Sequence, residues 1–162
     1  DVYKRQDEIV REGRFQVIWQ TGKYYEREMD EFMRGRDARG IWRGAFIERM
    51  DLAYAAADVV VARSGAGTVS ELCLVGKAVV FVPSPNVAED HQTKNAMALA
   101  DRGAALVVPD REAVARVFSE VGRLLADDAV RSEMEKNIRA LAVADSADRV
   151  ADEILKVVKR SE

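Results

Sequence analysis

With one cysteine in 162 residues, the chain closes no disulfide of its own, a usage that fits a reducing compartment. Cys73 stands in the apolar run Leu72 to Val75, where packing is expected rather than reactivity. Charge of either sign is barely in excess: 25 Lys and Arg against 28 Asp and Glu leave a net charge of −3. Nothing in that balance argues for a nucleic-acid partner. No apolar run approaches the ~18 residues of a membrane span. The first residues are polar, without the pattern of a secretory signal. There is one histidine, His91, no Asp-x-Asp pair, no internal repeat and no low-complexity segment. What is present is an ordinary globular composition, 48% hydrophobic and 33% charged, long enough for one domain with a sizeable core.

The most informative stretch runs from Asp58 to Glu71. A valine-rich run stops at Arg63, Ser64 to Gly67 are small and flexible, and a helical pattern opens at Thr68. Strand, glycine loop and helix start in that order place free N–H groups where a phosphate can meet them. Arg63 adds positive charge at the mouth of the loop. A second polar loop, Pro83 to Asn95, follows the next apolar run, Ala78 to Val82. Loops after successive parallel strands converge on the carboxyl edge of the sheet, where open α/β folds bind ligands. A dinucleotide fingerprint does not form, because Ser70 stands where Gly65-Ala-Gly67 would need a third small residue. Thr68-x-x-Glu71 has two readings, a ligand site or a capping box that satisfies the helix by itself.

Hydrophobic periodicity alternates between strands and helices. The expected elements are a helix end over Asp7 to Glu12 closed by Gly13, and a strand over Phe15 to Gln20. A helix follows from Tyr24 to Met33, a charged turn over Gly35 to Gly40 and a short strand over Ile41 to Phe46. Next come a helix over Met50 to Ala57, a strand over Val59 to Ala62, a helix over Thr68 to Val75 and a strand over Ala78 to Val82. A helix over Asp90 to Asp101, ended by Gly103, leads to a last strand over Ala105 to Val108. From Arg111 onward the pattern is helical, with apolar faces at Val114, Val117, Val121, Leu124 and Leu125, then Met134, Ile138 and Leu141, then Val150, Ile154, Leu155 and Val158. Such alternation implies an α/β fold with a parallel sheet wound right-handedly.

Five blocks in register carry a family resemblance: Phe46 to Met50, Tyr54 to Asp58, Arg63 to Glu71, Val82 to Pro85 and Asp90 to Ala96. From about Phe15 onward the chain resembles the bacterial peptidoglycan glycosyltransferases that add N-acetylglucosamine to undecaprenyl-pyrophosphoryl-muramoyl-pentapeptide. The resemblance implies the Rossmann-like C-terminal half of a GT-B glycosyltransferase, closed by C-terminal helices. Residues 1–162 would be a partial donor-binding domain, with 111–162 as the helical closing segment. That domain's first strand and the Gly-Gly-Ser-type loop after it are expected to be missing, and residues 1–6, which match nothing expected there, are read as non-native. In a sheet of order 3-2-1-4-5-6 the missing strand is central. The strands at Phe15 to Gln20 and Val59 to Ala62 should then flank a gap or a distorted junction.

The resemblance also implies roles. Phe46 would cover the uracil of UDP-N-acetylglucosamine, the Ile47 backbone would read its polar edge, and Met50 would lie beside it. On spacing alone, Phe46 and Met50 read rather as core residues following a strand; the resemblance reverses that preference. Arg63 with the Ala66, Gly67 and Thr68 amides would face the diphosphate, against a plain surface arginine. Glu71 would accept from both ribose hydroxyls, against the capping box. Gln92 and Asn95, three apart on one helical face, would meet sugar hydroxyls, with His91 contacting the donor or only solvent. A larger residue is common in the family where Gly67 stands, so a more mobile loop is expected. No catalytic residue, metal or cofactor is expected here; the family's proposed base belongs to the absent N-terminal acceptor domain, which would take the lipid-linked acceptor at the cytoplasmic face of the membrane. The competing readings are a UDP-N-acetylglucosamine 2-epimerase on a similar fold and a non-catalytic nucleotide-sugar binding module.

Overall fold

The computed structural model describes residues 16–86 and 90–159. The helix end expected over Asp7 to Glu12, Gly13, Phe15 and the reading of residues 1–6 lie outside those residues. Five strands alternate with helices: β1 (Val17–Gln20), α1 (Glu26–Met33), β2 (Ile41–Gly44), α2 (Met50–Ala56), β3 (Val59–Ala62), α3 (Ala66–Val75), β4 (Ala78–Phe81), α4 (His91–Ala100) and β5 (Leu106–Val107). A 3-10 turn at Asp110–Glu112 leads into α5 (Ala113–Ala126), α6 (Asp128–Arg139) and α7 (Ser146–Lys159).

All strand pairs are parallel, but they form two ladders. β1 pairs with β2, Val17 opposite Ile41; β3 pairs with β4, Val59 opposite Ala78, and β4 with β5, Val80 opposite Leu106. Among the described residues β1 and β3 share no ladder, in line with the gap expected between them.

β4 organises the core. Its residues are all buried and its side chains alternate between two apolar clusters. Val79 and Phe81 pack with Leu72 and Cys73 of α3, Ala96 and Leu99 of α4 and Ile138 of α6. Ala78, Val80 and Val82 pack on the other side with Val117, Val121 and Leu124 of α5 and Met134 of α6. A continuous apolar run is what a parallel strand covered on both faces requires. Burial pushes the Cys73 thiol pKa upward, in keeping with a packing role.

Helix ends follow local chemistry. α3 stops at Gly76, whose φ of 69° is left-handed and whose N–H donates to the Leu72 carbonyl. A Cβ there would also meet the Arg139 guanidinium at 2.5 Å. Asp127 caps α6, its carboxylate accepting from the Val130 N–H at 3.0 Å.

Other element ends shift by one or two residues, and three departures from the sequence expectation bear on the site or its surroundings. β2 ends at Gly44, so Phe46 lies in the following segment and is 65% exposed. α3 begins at Ala66 rather than Thr68, which puts Gly67 inside its first turn instead of in a mobile loop. The apolar stripe of α7 forms as a helix, yet Val150, Ile154, Leu155 and Val158 stay exposed among the described residues.

Candidate functional site

The carboxyl ends of β3, β4 and β5 carry the polar residues. Arg63 directly follows β3, and its Nη1 donates to the Val82 carbonyl at 3.0 Å, the Pro83 carbonyl at 3.2 Å and Asp110 Oδ1 at 2.5 Å. One guanidinium thus ties together the ends of all three strands. All three bonds use Nη1; Nε and Nη2 make no hydrogen bond among the described residues, in a side chain that is half exposed. A flat cation held at one corner presents its remaining donors in a fixed direction.

Next in sequence is Ser64, fully buried. Its hydroxyl donates to the Gln92 carbonyl at 2.8 Å, and its own carbonyl accepts from Asn95 Nδ2 at 3.1 Å. Gln92 Oε1 accepts from the Ser84 N–H at 2.9 Å. The loops after β3 and β4 and the start of α4 are therefore one network. Gln92 and Asn95 each spend one amide atom on it, so these atoms hold the loops together, and only the remaining amide atoms face outward chemistry.

Gly65 precedes α3 in an extended conformation and supplies no side-chain cap. The first helical bond runs from the Val69 N–H to the Gly65 carbonyl. The N–H groups of Ala66, Gly67 and Thr68 are left without an acceptor among the described residues, and Ala66 and Gly67 are exposed. A Cβ on Gly65 or Gly67 would meet nothing within 4 Å, and neither has a positive φ. The fold itself gives no reason for glycine there; close approach of a ligand to the backbone would.

Glu71 lies in the second turn of α3, six residues past the Gly65 cap, so it is no partner in a capping box. Its Oε2 accepts from the Tyr54 hydroxyl of α2 at 3.3 Å. Burial, then the charge and hydrogen bond of Glu71, push the Tyr54 phenol pKa up to about 12. Tyr54 is thus a neutral donor at ordinary pH.

Toward the first ladder, the Ile47 N–H donates to Gln20 Oε1 at 2.9 Å. The Ile47 N–H is thus occupied by an amide oxygen. Met50 opens α2 and is half-buried, and Phe46 is exposed before it. His91 is the exposed first residue of α4. Among the described residues no group of three His, Cys, Asp or Glu side chains could hold a metal ion, and no helix is long and apolar enough to cross a membrane.

Sequence reasoning missed Gln20, Tyr54, Ser64, Ser84 and Asp110. Their partners lie between 8 and 47 positions away in sequence, beyond any local spacing rule. Tyr54, Ser64 and Ser84 lie inside the blocks that carry the family resemblance, but no role is read for them there.

The family signature described as glycosyltransferase family 28 C-terminal domain matches residues 2–150. A relative from Parabacteroides distasonis, named UDP-N-acetylglucosamine--N-acetylmuramyl-(pentapeptide) pyrophosphoryl-undecaprenol N-acetylglucosamine transferase, is 47% identical over 90% of this chain and 39% of its own length. One of the same name from Bacteroides thetaiotaomicron is 48% identical over 89% of this chain and 39% of its own. A crystal structure of Acinetobacter baumannii MurG superposes with a TM-score of 0.74 at 33% identity, covering 87% of this chain and 41% of that one. The chain therefore spans about two fifths of the length of the curated relatives it matches.

Proposed function

The chain belongs to the glycosyltransferase family 28 C-terminal domains, and from that premise we propose that it supplies the UDP-sugar site of an inverting hexosyltransferase. The donor is UDP-N-acetylglucosamine and the acceptor a lipid-linked muramoyl-pentapeptide of peptidoglycan synthesis. The names of the relatives support transfer over epimerisation. The observation that carries the reading is the uncapped, glycine-bearing start of α3 beside the half-engaged guanidinium of Arg63.

As the glycosidic bond breaks, negative charge grows on the departing diphosphate. The N–H groups of Ala66, Gly67 and Thr68, aligned with the α3 dipole, and the outer donors of Arg63 stabilise that charge. They need no reorganisation, because the three strand ends already fix Arg63. Glu71 accepts from the ribose hydroxyls, Phe46 covers the uracil, and the Ile47 backbone with Met50 bounds its edge. For the Ile47 N–H to serve the base, Gln20 must yield it; otherwise the carbonyl reads the base alone. Gln92 and Asn95 hold the sugar-side loops and offer their remaining amide atoms to hydroxyls, with His91 beside them.

The acceptor hydroxyl attacks the anomeric carbon from the face opposite the leaving UDP, so the configuration inverts. The base and the acceptor surface belong to a further domain, and the whole enzyme acts as a peripheral protein at the cytoplasmic membrane face. This chain alone transfers no sugar.

Calorimetric titration of the chain with UDP, UMP and uridine tests the site. Affinity should rise with each phosphate, and Arg63→Ala should flatten that rise without abolishing uridine binding. A chain that ignores UDP, or an Arg63→Ala variant with an unchanged phosphate dependence, sinks the assignment.

A further inference from the structure

We propose that Tyr54 is a positioning residue of the nucleotide site, holding the Glu71 carboxylate in the orientation that meets the ribose. The inference rests on the ribose role proposed above for Glu71. Glu71 is exposed on the second turn of α3, and no Lys or Arg pairs with it among the described residues. A long, solvated carboxylate samples several rotamers, and each must be given up when a ligand binds. Its hydrogen-bond partner is the Tyr54 hydroxyl, 3.3 Å from Oε2.

Tyr54 is well placed for that task. It belongs to α2, while its ring packs against the core cluster that contains Leu72 and Cys73. An aromatic side chain has two torsions, and packing fixes both. The hydroxyl is therefore a donor with a settled position, reaching across from one helix to the next. It also stays protonated: burial and the neighbouring carboxylate raise its pKa to about 12.

The choice of donor has consequences. A carboxylate has about four lone-pair sites, so one phenol leaves Oε1 and part of Oε2 for two hydroxyls. An arginine in the same place would take both oxygens in a forked pair and compete with the ribose. A neutral donor orients without occupying. α2 also begins three residues after Ile47, at Met50, so Tyr54 joins the segment assigned to the base to the residue assigned to the ribose.

Tyr54→Phe keeps the ring and removes the hydroxyl. UDP and 2′,3′-dideoxy-UDP, titrated calorimetrically into the chain, separate orientation from folding. The variant should lose about three- to tenfold in UDP affinity, the worth of one ordinary hydrogen bond, with dideoxy-UDP affinity unmoved. In a Glu71→Ala background the same change should have no further effect on UDP. Glu71→Gln, which touches no core contact, gives a second approach and should narrow the UDP to dideoxy-UDP ratio with Tyr54 intact. Equal losses for both nucleotides, or no loss while Glu71→Ala weakens UDP, would overturn the role of Tyr54 and leave the ribose assignment standing. An inert Glu71→Ala would overturn the ribose assignment and Tyr54 with it.

Discussion

Glu71→Ala separates two meanings of a single side chain. A group that closes the helix start would lower stability when removed, whereas a ribose acceptor would lower affinity. Because α3 starts at Ala66, Glu71 lies too far along to close it. The substitution is expected to weaken UDP binding by about 1–3 kcal/mol, the range for hydrogen bonds to a charged group. Its melting temperature should match that of the unsubstituted chain, and a fall in melting temperature with intact affinity would reverse the assignment. Tyr54 makes a second residue-level statement through pH. Its folded pKa, about 12, lies above the ordinary value near 10, so the neutral form is the one the fold favours. Its contribution is complete below pH 10 and is lost as pH rises through 12. Absorbance titration at alkaline pH should show a late-ionising tyrosine step, and Tyr54→Phe should remove it. Ser64→Ala deletes a buried donor and should cost about 1 kcal/mol of stability. A thermal melt of the variant checks it.

At the scale of the element, what was legible depended on whether the signal was local. β4 reads directly from the run Ala78 to Val82, because burial on both faces leaves no polar position to break it. α5 reads nearly as well: Val117, Val121 and Leu124 of the expected face are buried, Val114 and Leu125 are half-buried, and Ala113 is buried beside them. The start of α3 did not read correctly. Glycine is a weak helix former, so Gly65-Ala-Gly67 suggests a loop, yet packing of Leu72 and Cys73 carries the helix two residues further back. Phe46 misled in the opposite sense, as an aromatic that ends no strand but stands exposed. α7 shows the limit of periodicity: the pattern predicts the helix, not what covers it. Since Ile154 and Val158 are exposed, Ile154→Glu with Val158→Glu should alter stability by no more than about 1 kcal/mol. Leu124→Ala, in the core, should cost about 2–5 kcal/mol. Denaturant melts of the two variants, compared with the unsubstituted chain, test the contrast.

The whole molecule is governed by the break between its two ladders. The family resemblance anticipated it, because in a sheet of order 3-2-1-4-5-6 the strand expected to lie between β1 and β3 is the one the sequence does not show. β1 and β3 each end their ladder at a strand, and Ile18 and Val61 on them are 46% and 44% exposed. Open strand edges with apolar neighbours favour pairing with other chains. Sedimentation velocity over a concentration series should reveal association that grows with concentration. A monomer at all concentrations, melting in one sharp transition, would show the break to be inconsequential.

The same break decides how the site responds to its ligand. Gln20 and Ile47 hang on the first ladder; Arg63, Ser64 and Gln92 hang on the second, and α2 with Tyr54 links the two in chain order. A nucleotide that touches both sets acts as a crosslink, joining two patches of backbone that share no strand pairing. Such a ligand stiffens most what was least tied. In amide hydrogen exchange β4, sealed between its two cores, should be slow with or without UDP. β1 and β2 should exchange quickly in the free chain and slow markedly when UDP is bound, so that a bound nucleotide, rather than strand pairing, would confer the rigidity of that part of the molecule.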